Sequence, residues 1–309
     1  MTSPADISFG GAFLALLGTL GLALGSAIVE RAAGARVSGL RRPLLLGPVA
    51  DAAKVMARSG RAAPGAGAAA FAALLPALAL VAFLPPGAGV GGLFPPVGAT
   101  TGGAVQAMVL VALLGVSAQA WMLPAAYAGA EGRRSLSAGA VAIMGCHLAF
   151  LLVSAALVTD GVPVLAAYSR TPGDWPLWSH PAGVAAWVGA LAVLCRCTGS
   201  VLGGRRAGLR PASGTGPVWL SLSRHLQLGA AALLACHLFG GLPGAAGWVE
   251  ILPGVTAAAV LASAVAIGPS LSHGTPAGLA RTAWTRIVPL ALIDLALSVL
   301  RSAGWLPWN

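Results

Sequence analysis

The chain has 309 residues, of which 57% are hydrophobic and 8% charged, where soluble domains carry about 25% charged residues. That leaves too little polar surface to coat a water-soluble globule, and the apolar residues come in blocks of roughly twenty, the length that crosses about 30 Å of hydrocarbon. In such a chain the net charge of +10 points to basic cytoplasmic loops rather than to nucleic acid.

The pattern predicts an all-α, polytopic membrane protein, a single transmembrane domain over 1–309, with about eight transmembrane helices. They lie near 7–29, 66–84, 104–124, 138–159, 182–202, 225–243, 249–268 and 285–303. Alanine, glycine and leucine dominate them, as suits helices packed closely in lipid. The first run has no basic residue before it in MTSPADISFGG, so it reads as a retained helix rather than a cleaved signal. Cytoplasmic loops are expected near 30–65, 125–137, 203–224 and 269–284. The first holds Arg31, Arg36, Arg41, Arg42, Lys54, Arg58 and Arg61. Arg133 and Arg134 follow the third span, Arg205, Arg206, Arg210 and Arg224 the fifth, and Arg281 and Arg286 the seventh. Residues 85–103 carry no charge, and 160–181 hold one basic residue, Arg170. Fifteen of the eighteen basic residues therefore fall on one side. This predicts a multi-pass protein of a bacterial inner membrane with both termini on the non-cytoplasmic side. Trp305 and Trp308 suit that interface. No internal repeat of the inverted kind is seen.

Between the first two spans stands GPVADAAKVMARSG, residues 47–60. From Leu44 to Met56 apolar and polar residues alternate at helical spacing. Pro48 fits a first helical turn, where its missing N–H costs nothing. Asp51 suits the same end, with Lys54 and Arg58 further on. The piece is too short and too charged to span, and reads either as an amphipathic helix in the cytoplasmic interface or as a solvated basic loop.

These residues resemble the first cytoplasmic loop of the subunit 1 family of respiratory complex I (NADH-quinone oxidoreductase), which includes the homologous membrane subunit of energy-converting [NiFe] hydrogenases and formate hydrogenlyases. That family reads E-R, G-R, a basic R-x-G-P element, then L-Q-P-L-A-D-A-x-K-L. This chain has Glu30-Arg31, Gly34 and Arg36, Arg41-Arg42-Pro43, then Pro48-Val49-Ala50-Asp51-Ala52-Ala53-Lys54. A second likeness lies near the end: the family's basic residue and L-L-P-L-x-L-x-N-L corresponds to Arg286-Ile287-Val288-Pro289-Leu290-Ala291-Leu292-Ile293-Asp294-Leu295, with aspartate for asparagine. The likeness covers the whole chain in topology and about forty residues in motif.

The resemblance implies the membrane heel subunit of a complex I-like or membrane-bound hydrogenase-like complex, to which a peripheral electron-transfer arm docks. Glu30, Arg31, Arg36, Arg41, Asp51 and Lys54 would lie at the arm-docking face or beside a quinone chamber, and Arg205, Arg206 and Arg210 would extend the docking surface. Quinone belongs to the complex I branch only. Iron–sulfur and nickel–iron or flavin centres would sit in partner subunits, alongside antiporter-like membrane subunits. This chain has no iron–sulfur ligand set, no metal site, and no catalytic residue of its own.

The chain also departs from the family. Where the family has A-E-L-N-R, residues 192–196 read Ala-Val-Leu-Cys-Arg, and the loop after the fifth span lacks acids. Where the family has S-Y-E-V, this chain has Gly145-Cys146-His147-Leu148. Valine cannot exchange a proton as a carboxylate can. A proton route here would use His147, Arg196 and water, or another subunit, with Asp294 as a third candidate. For each residue a plainer reading stands beside the functional one. Arg196 can snorkel, Asp294 can be protonated or paired, and His147 and His237 can be hydrogen-bonded core residues or, on separate helices, haem ligands. Cys146, Cys195, Cys197 and Cys236 read as small buried thiols, since CxC is neither a zinc nor a redox spacing. Other classes remain open: a small-solute transporter, or a haem-binding membrane anchor.

Overall fold

The structure, a computed structural model, describes residues 9–37, 39, 47–57, 71–72, 74–84, 109–116, 130–161, 175–202, 215–240, 252–271 and 275–306. Among these the chain is all-helical. In chain order the helices are α1 (Phe9–Val37), α2 (Gly47–Ala57), α3 (Leu74–Phe83), α4 (109–116), α5 (Ala130–Thr159), α6 (Pro176–Ser179), α7 (Pro181–Leu202), α8 (Thr215–Ala235), α9 (Leu252–Leu271), α10 (Pro276–Thr282) and α11 (Val288–Ser302). A π-type turn, Cys236–Gly240, extends α8, and another, Ala283–Ile287, joins α10 to α11 without a break.

Among the described residues, three stretches are long and apolar enough to cross a membrane: Leu16–Val37, Ala138–Thr159 and Pro276–Ser302. Leu74–Phe83, Pro181–Cys197 and Gly254–Ser270 are apolar but shorter. The two other expected spans, 104–124 and 225–243, show helix over 109–116 and 215–240. The chain is a helical membrane protein, with Leu16, Leu20, Met144, Leu292 and Ile293 turned outward.

Several helices begin or end well outside the apolar runs that predict them. α1 continues through Glu30 and Arg31 to Val37, after which Gly39 takes a left-handed φ of 71° and its N–H bonds the Arg36 carbonyl at 3.1 Å, the usual glycine stop. α5 starts at Ala130, so Arg133 and Arg134 lie on a helix rather than in the predicted loop. α8 starts at Thr215, which draws Arg224 out of the predicted loop and into a helix. The last membrane helix starts at Pro276, where Thr275 Oγ1 accepts from the Gly278 N–H at 3.1 Å. A cap followed by a first-turn proline sets that start, and Arg281, expected in a loop, becomes helical. The predicted amphipathic helix is present as α2.

α7 is the hub, packed against α5, α8, α9 and α11, while α1 lies on α8 and α9. At its centre Trp187 is fully buried, its Nε1–H donating to the Ala231 carbonyl of α8 at 3.1 Å. Its ring meets Phe150 at 4.3 Å and Phe239 at 6.1 Å. Glycines set the closest approaches. A Cβ on Gly145 would lie 3.0 Å from Ala283 Cβ, and one on Gly229 would strike Ser26 and Leu22 of α1.

Candidate functional site: three polar clusters in the helix bundle

The first cluster joins α1, α2, α7 and α8. Glu30 Oε1 accepts from Arg224 Nη2, and its Oε2 lies 3.3 Å from His225 Nε2. Arg224 also reaches the Cys195 carbonyl at 3.4 Å, and His225 Nδ1 lies 2.7 Å from the Ser221 carbonyl. One residue beyond Glu30, Arg31 Nη1 donates to Asp51 Oδ2 at 2.6 Å, with both side chains substantially exposed. Gly47 lies directly against that guanidinium, where any Cβ would collide. α2 is thereby fastened to the end of α1 next to the buried Glu30–Arg224 pair. Arg36 and Lys54 are exposed on the same two helices. Arg41, Arg205, Arg206 and Arg210 lie outside the described residues.

The second cluster is central. His147 of α5 presents Nδ1 to the Ile143 carbonyl at 2.7 Å and Nε2 to the Leu114 carbonyl at 3.0 Å. Gln227 of α8 donates to the same Leu114 oxygen at 2.8 Å. With both ring nitrogens on carbonyls, His147 has no lone pair directed at a haem iron, and no group of three metal-ligating side chains occurs among the described residues.

The third cluster lies at the other end of α7. His180, fully buried, stands between two aspartates: Nδ1 is 3.1 Å from Asp294 Oδ2 of α11, and Nε2 is 3.1 Å from Asp160 Oδ2 at the end of α5. Arg301 closes it, with Nη1 donating to Asp160 Oδ2 at 2.7 Å and Nη2 to the Ser179 carbonyl at 2.9 Å. A Cβ on Gly183 would strike the Asp294 carboxylate, so α7 needs glycine there for α11 to bring Asp294 in. His180 and Cys195 are one helix-length apart, about 22 Å at 1.5 Å per residue, and so are the first and third clusters.

The three ion-path candidates do not converge. His147 is central, Asp294 belongs to the third cluster, and Arg196 lies on α7 with its stem against Gly268. Arg224, His225, Gln227, Asp160, His180 and Arg301 complete the clusters and do not stand out in the sequence. A signal that could have found Asp160, His180 and Arg301 is their position at or near the ends of expected spans. No disulfide joins the four cysteines, three of which are buried.

No protein-family model and no curated protein matches the chain. Among solved structures, a chain from the membrane-bound sulfane sulfur reductase, an archaeal respiratory membrane complex, matches with a TM-score of 0.74 at 15% identity, over 94% of this chain and 100% of that one. The fold is shared with a chain of a respiratory membrane complex. At this identity the likeness is one of fold, and it runs the length of both chains, so the two share an architecture rather than a single helical hairpin.

Proposed function

We propose that this protein is the membrane heel subunit of a complex I-like or membrane-bound hydrogenase-like redox complex in a bacterial inner membrane. The observation that carries this reading is the full-length fold match to a chain of an archaeal respiratory complex. The loop motif adds support, because its core, Pro48 to Lys54, lies on the helix α2, held to α1 by Arg31–Asp51 beside the Glu30–Arg224 pair. On this reading the peripheral arm docks on the face made by the end of α1, α2 and the start of α8, with Glu30, Arg31, Arg36, Arg41, Asp51 and Lys54 contributing. Both termini face away from that side. Iron–sulfur and nickel–iron or flavin centres reside in partners, and quinone binds only if the complex is of the complex I branch.

Purification of the tagged chain in gentle detergent, with mass spectrometry of what accompanies it, tests this. Antiporter-like membrane subunits together with iron–sulfur and hydrogenase-fold subunits are expected, and their identity decides between quinone and hydrogenase chemistry. A chain that purifies alone or only with its own copies overturns the reading and leaves the small-solute transporter ahead.

A further inference from the structure

We propose that Asp160, His180 and Asp294 form a proton-relay site in which the imidazole passes a proton between two carboxylates. The family motifs include neither Asp160, His180 nor Arg301, and the motif-bearing loop lies at the opposite end of α7.

Proton counting comes first. A neutral imidazole has one N–H and one lone pair. Here each nitrogen lies 3.1 Å from a carboxylate oxygen. Nδ1 is hydrogen-bonded to Asp294, while Nε2 faces Asp160 at the same distance out of hydrogen-bond alignment; a bare nitrogen lone pair facing a carboxylate on either side would be repelled, so the triad holds two protons. With Arg301 beside Asp160, two protons bring the whole cluster to zero net charge. One fewer leaves a net negative charge among groups that are almost entirely buried, which the low-polarity interior penalises.

Two protons can be arranged in equivalent ways. In one limit Asp160 is the acid and the ring donates from Nδ1 to ionised Asp294. In the other Asp294 is the acid and the ring donates from Nε2 to ionised Asp160. Between them lies the imidazolium flanked by two carboxylates. Passing from the first limit to the second breaks the Asp160 O–H and the ring Nδ1–H and forms the ring Nε2–H and the Asp294 O–H. No proton is gained or lost, and the ring ends as its other tautomer.

The surroundings give the relay two distinct ends. Asp160 follows the last turn of α5, where Gly161 takes a left-handed φ of 67°, and it is held by Arg301, the one member of the cluster with appreciable exposure at 12%. Asp294 is seven residues before Arg301 on α11, so its backbone lies about 10 Å along the helix from that of Arg301. Oδ1 of both aspartates is buried and without a hydrogen-bond partner among the described residues, and His180 Nε2 meets Asp160 at contact distance without hydrogen-bond alignment. The aspartates lie on opposite edges of the imidazole and do not converge on one point, so the arrangement suits a proton rather than a metal ion.

Among the described residues, few other ionisable groups lie on the elements packed at this end. The Cys236–Gly240 turn packs against α6 and carries His237. α9, which packs on α7, has no ionisable residue between Leu252 and Leu271. Among the described residues the ionisable members of the cluster are Asp160, His180, Asp294 and Arg301, with His237 on the turn that packs against α6.

That the relay serves redox-driven proton movement rests on the heel-subunit function; the relay itself does not. The test uses the full chain, labelled with ¹⁵N-histidine and reconstituted in liposomes, with the His180 signals assigned by their loss in His180→Gln. Between mildly acidic and mildly alkaline pH, wild-type His180 should show protons on both nitrogens or exchange between its tautomers, and Asp294→Asn should lock it in one neutral tautomer. A wild-type ring fixed as a single tautomer throughout overturns the relay, and this readout on the wild type holds even if a variant folds poorly. In the assembled complex, Asp294→Asn should lower protons moved per electron at least several-fold with electron transfer retained. Unchanged stoichiometry there overturns the relay's role in proton movement. If the chain has no redox partners, the heel reading fails while the tautomer measurement still decides the relay.

Discussion

Removing Arg224 would leave Glu30 facing only His225 in the seam between α1 and α8. A buried pair that loses one partner typically costs about 3–5 kcal/mol, because the remaining charge stays uncompensated. Glu30 keeps 20% of its side chain exposed, so the expectation for Arg224→Met is about 2–4 kcal/mol by that principle, read by denaturant or thermal unfolding of the detergent-solubilised chain. Adding Glu30→Gln should recover more than half of it, since the double variant removes the orphaned charge. Arg31–Asp51 is a different case. Its side chains are 39% and 57% exposed, and exposed pairs contribute about 0–1 kcal/mol. Asp51→Asn should therefore shift global stability by less than about 0.5 kcal/mol while releasing α2. Amide exchange over residues 47–57 is the measurement, and unchanged protection there would show that α2 is held by something other than this pair. The contrast also explains what sequence could read at this scale. Glu30, Arg31 and Asp51 stood out because a linear motif contains them. Arg224 was counted as a loop charge, because its partner is Glu30, 194 positions away, and only the packing of α1 on α8 joins them.

Hydropathy located most helices but misplaced their ends by up to ten residues, and the reason is local. Apolar content reports where lipid or core is, whereas helix ends are set by caps, prolines and glycines such as Thr275-Pro276 and Gly39. The close approaches between helices were also hidden, because alanine and glycine occur throughout and only the fold tells which of them face a neighbour. Two glycines make this measurable. Gly183 of α7 meets Asp294 and Val153, so a methyl there must push α11 away, and Gly183→Ala should destabilise by about 1–3 kcal/mol, as overpacking does. Gly139 of α5 has nothing within 4 Å of a built Cβ. Gly139→Ala should be neutral or stabilise by up to about 1 kcal/mol through helix propensity. Unfolding midpoints of the two variants, compared with wild type in one detergent, check both. A Gly183→Ala protein as stable as wild type would mean that α7 and α11 can separate at little cost.

At the scale of the molecule, the bundle holds two buried charge clusters at opposite ends of one helix, with the aromatic core of Trp187 and Phe150 between them. The overall class of a helical membrane protein was legible from composition, since few polar residues can only be accommodated by lipid. The clusters were not, because Asp160, His180, Asp294 and Arg301 are scattered over 142 positions and meet only when α5, α7 and α11 pack. Whether α7 merely supports both ends or links them is open to a direct measurement. The clusters share no side chain, and about 22 Å of helix separates them. Substitutions that far apart, with no common partner, add to within about 0.5 kcal/mol. Arg224→Met combined with Asp160→Asn should therefore destabilise by the sum of the two single effects within that margin. Such additivity fits a rigid α7, held by the Trp187–Ala231 hydrogen bond and by packing on four helices, with the two clusters acting as independent sites in the resting protein. A larger interaction energy would require α7 to have two arrangements that both clusters bias, which is the physical requirement for coupling one end of the bundle to the other.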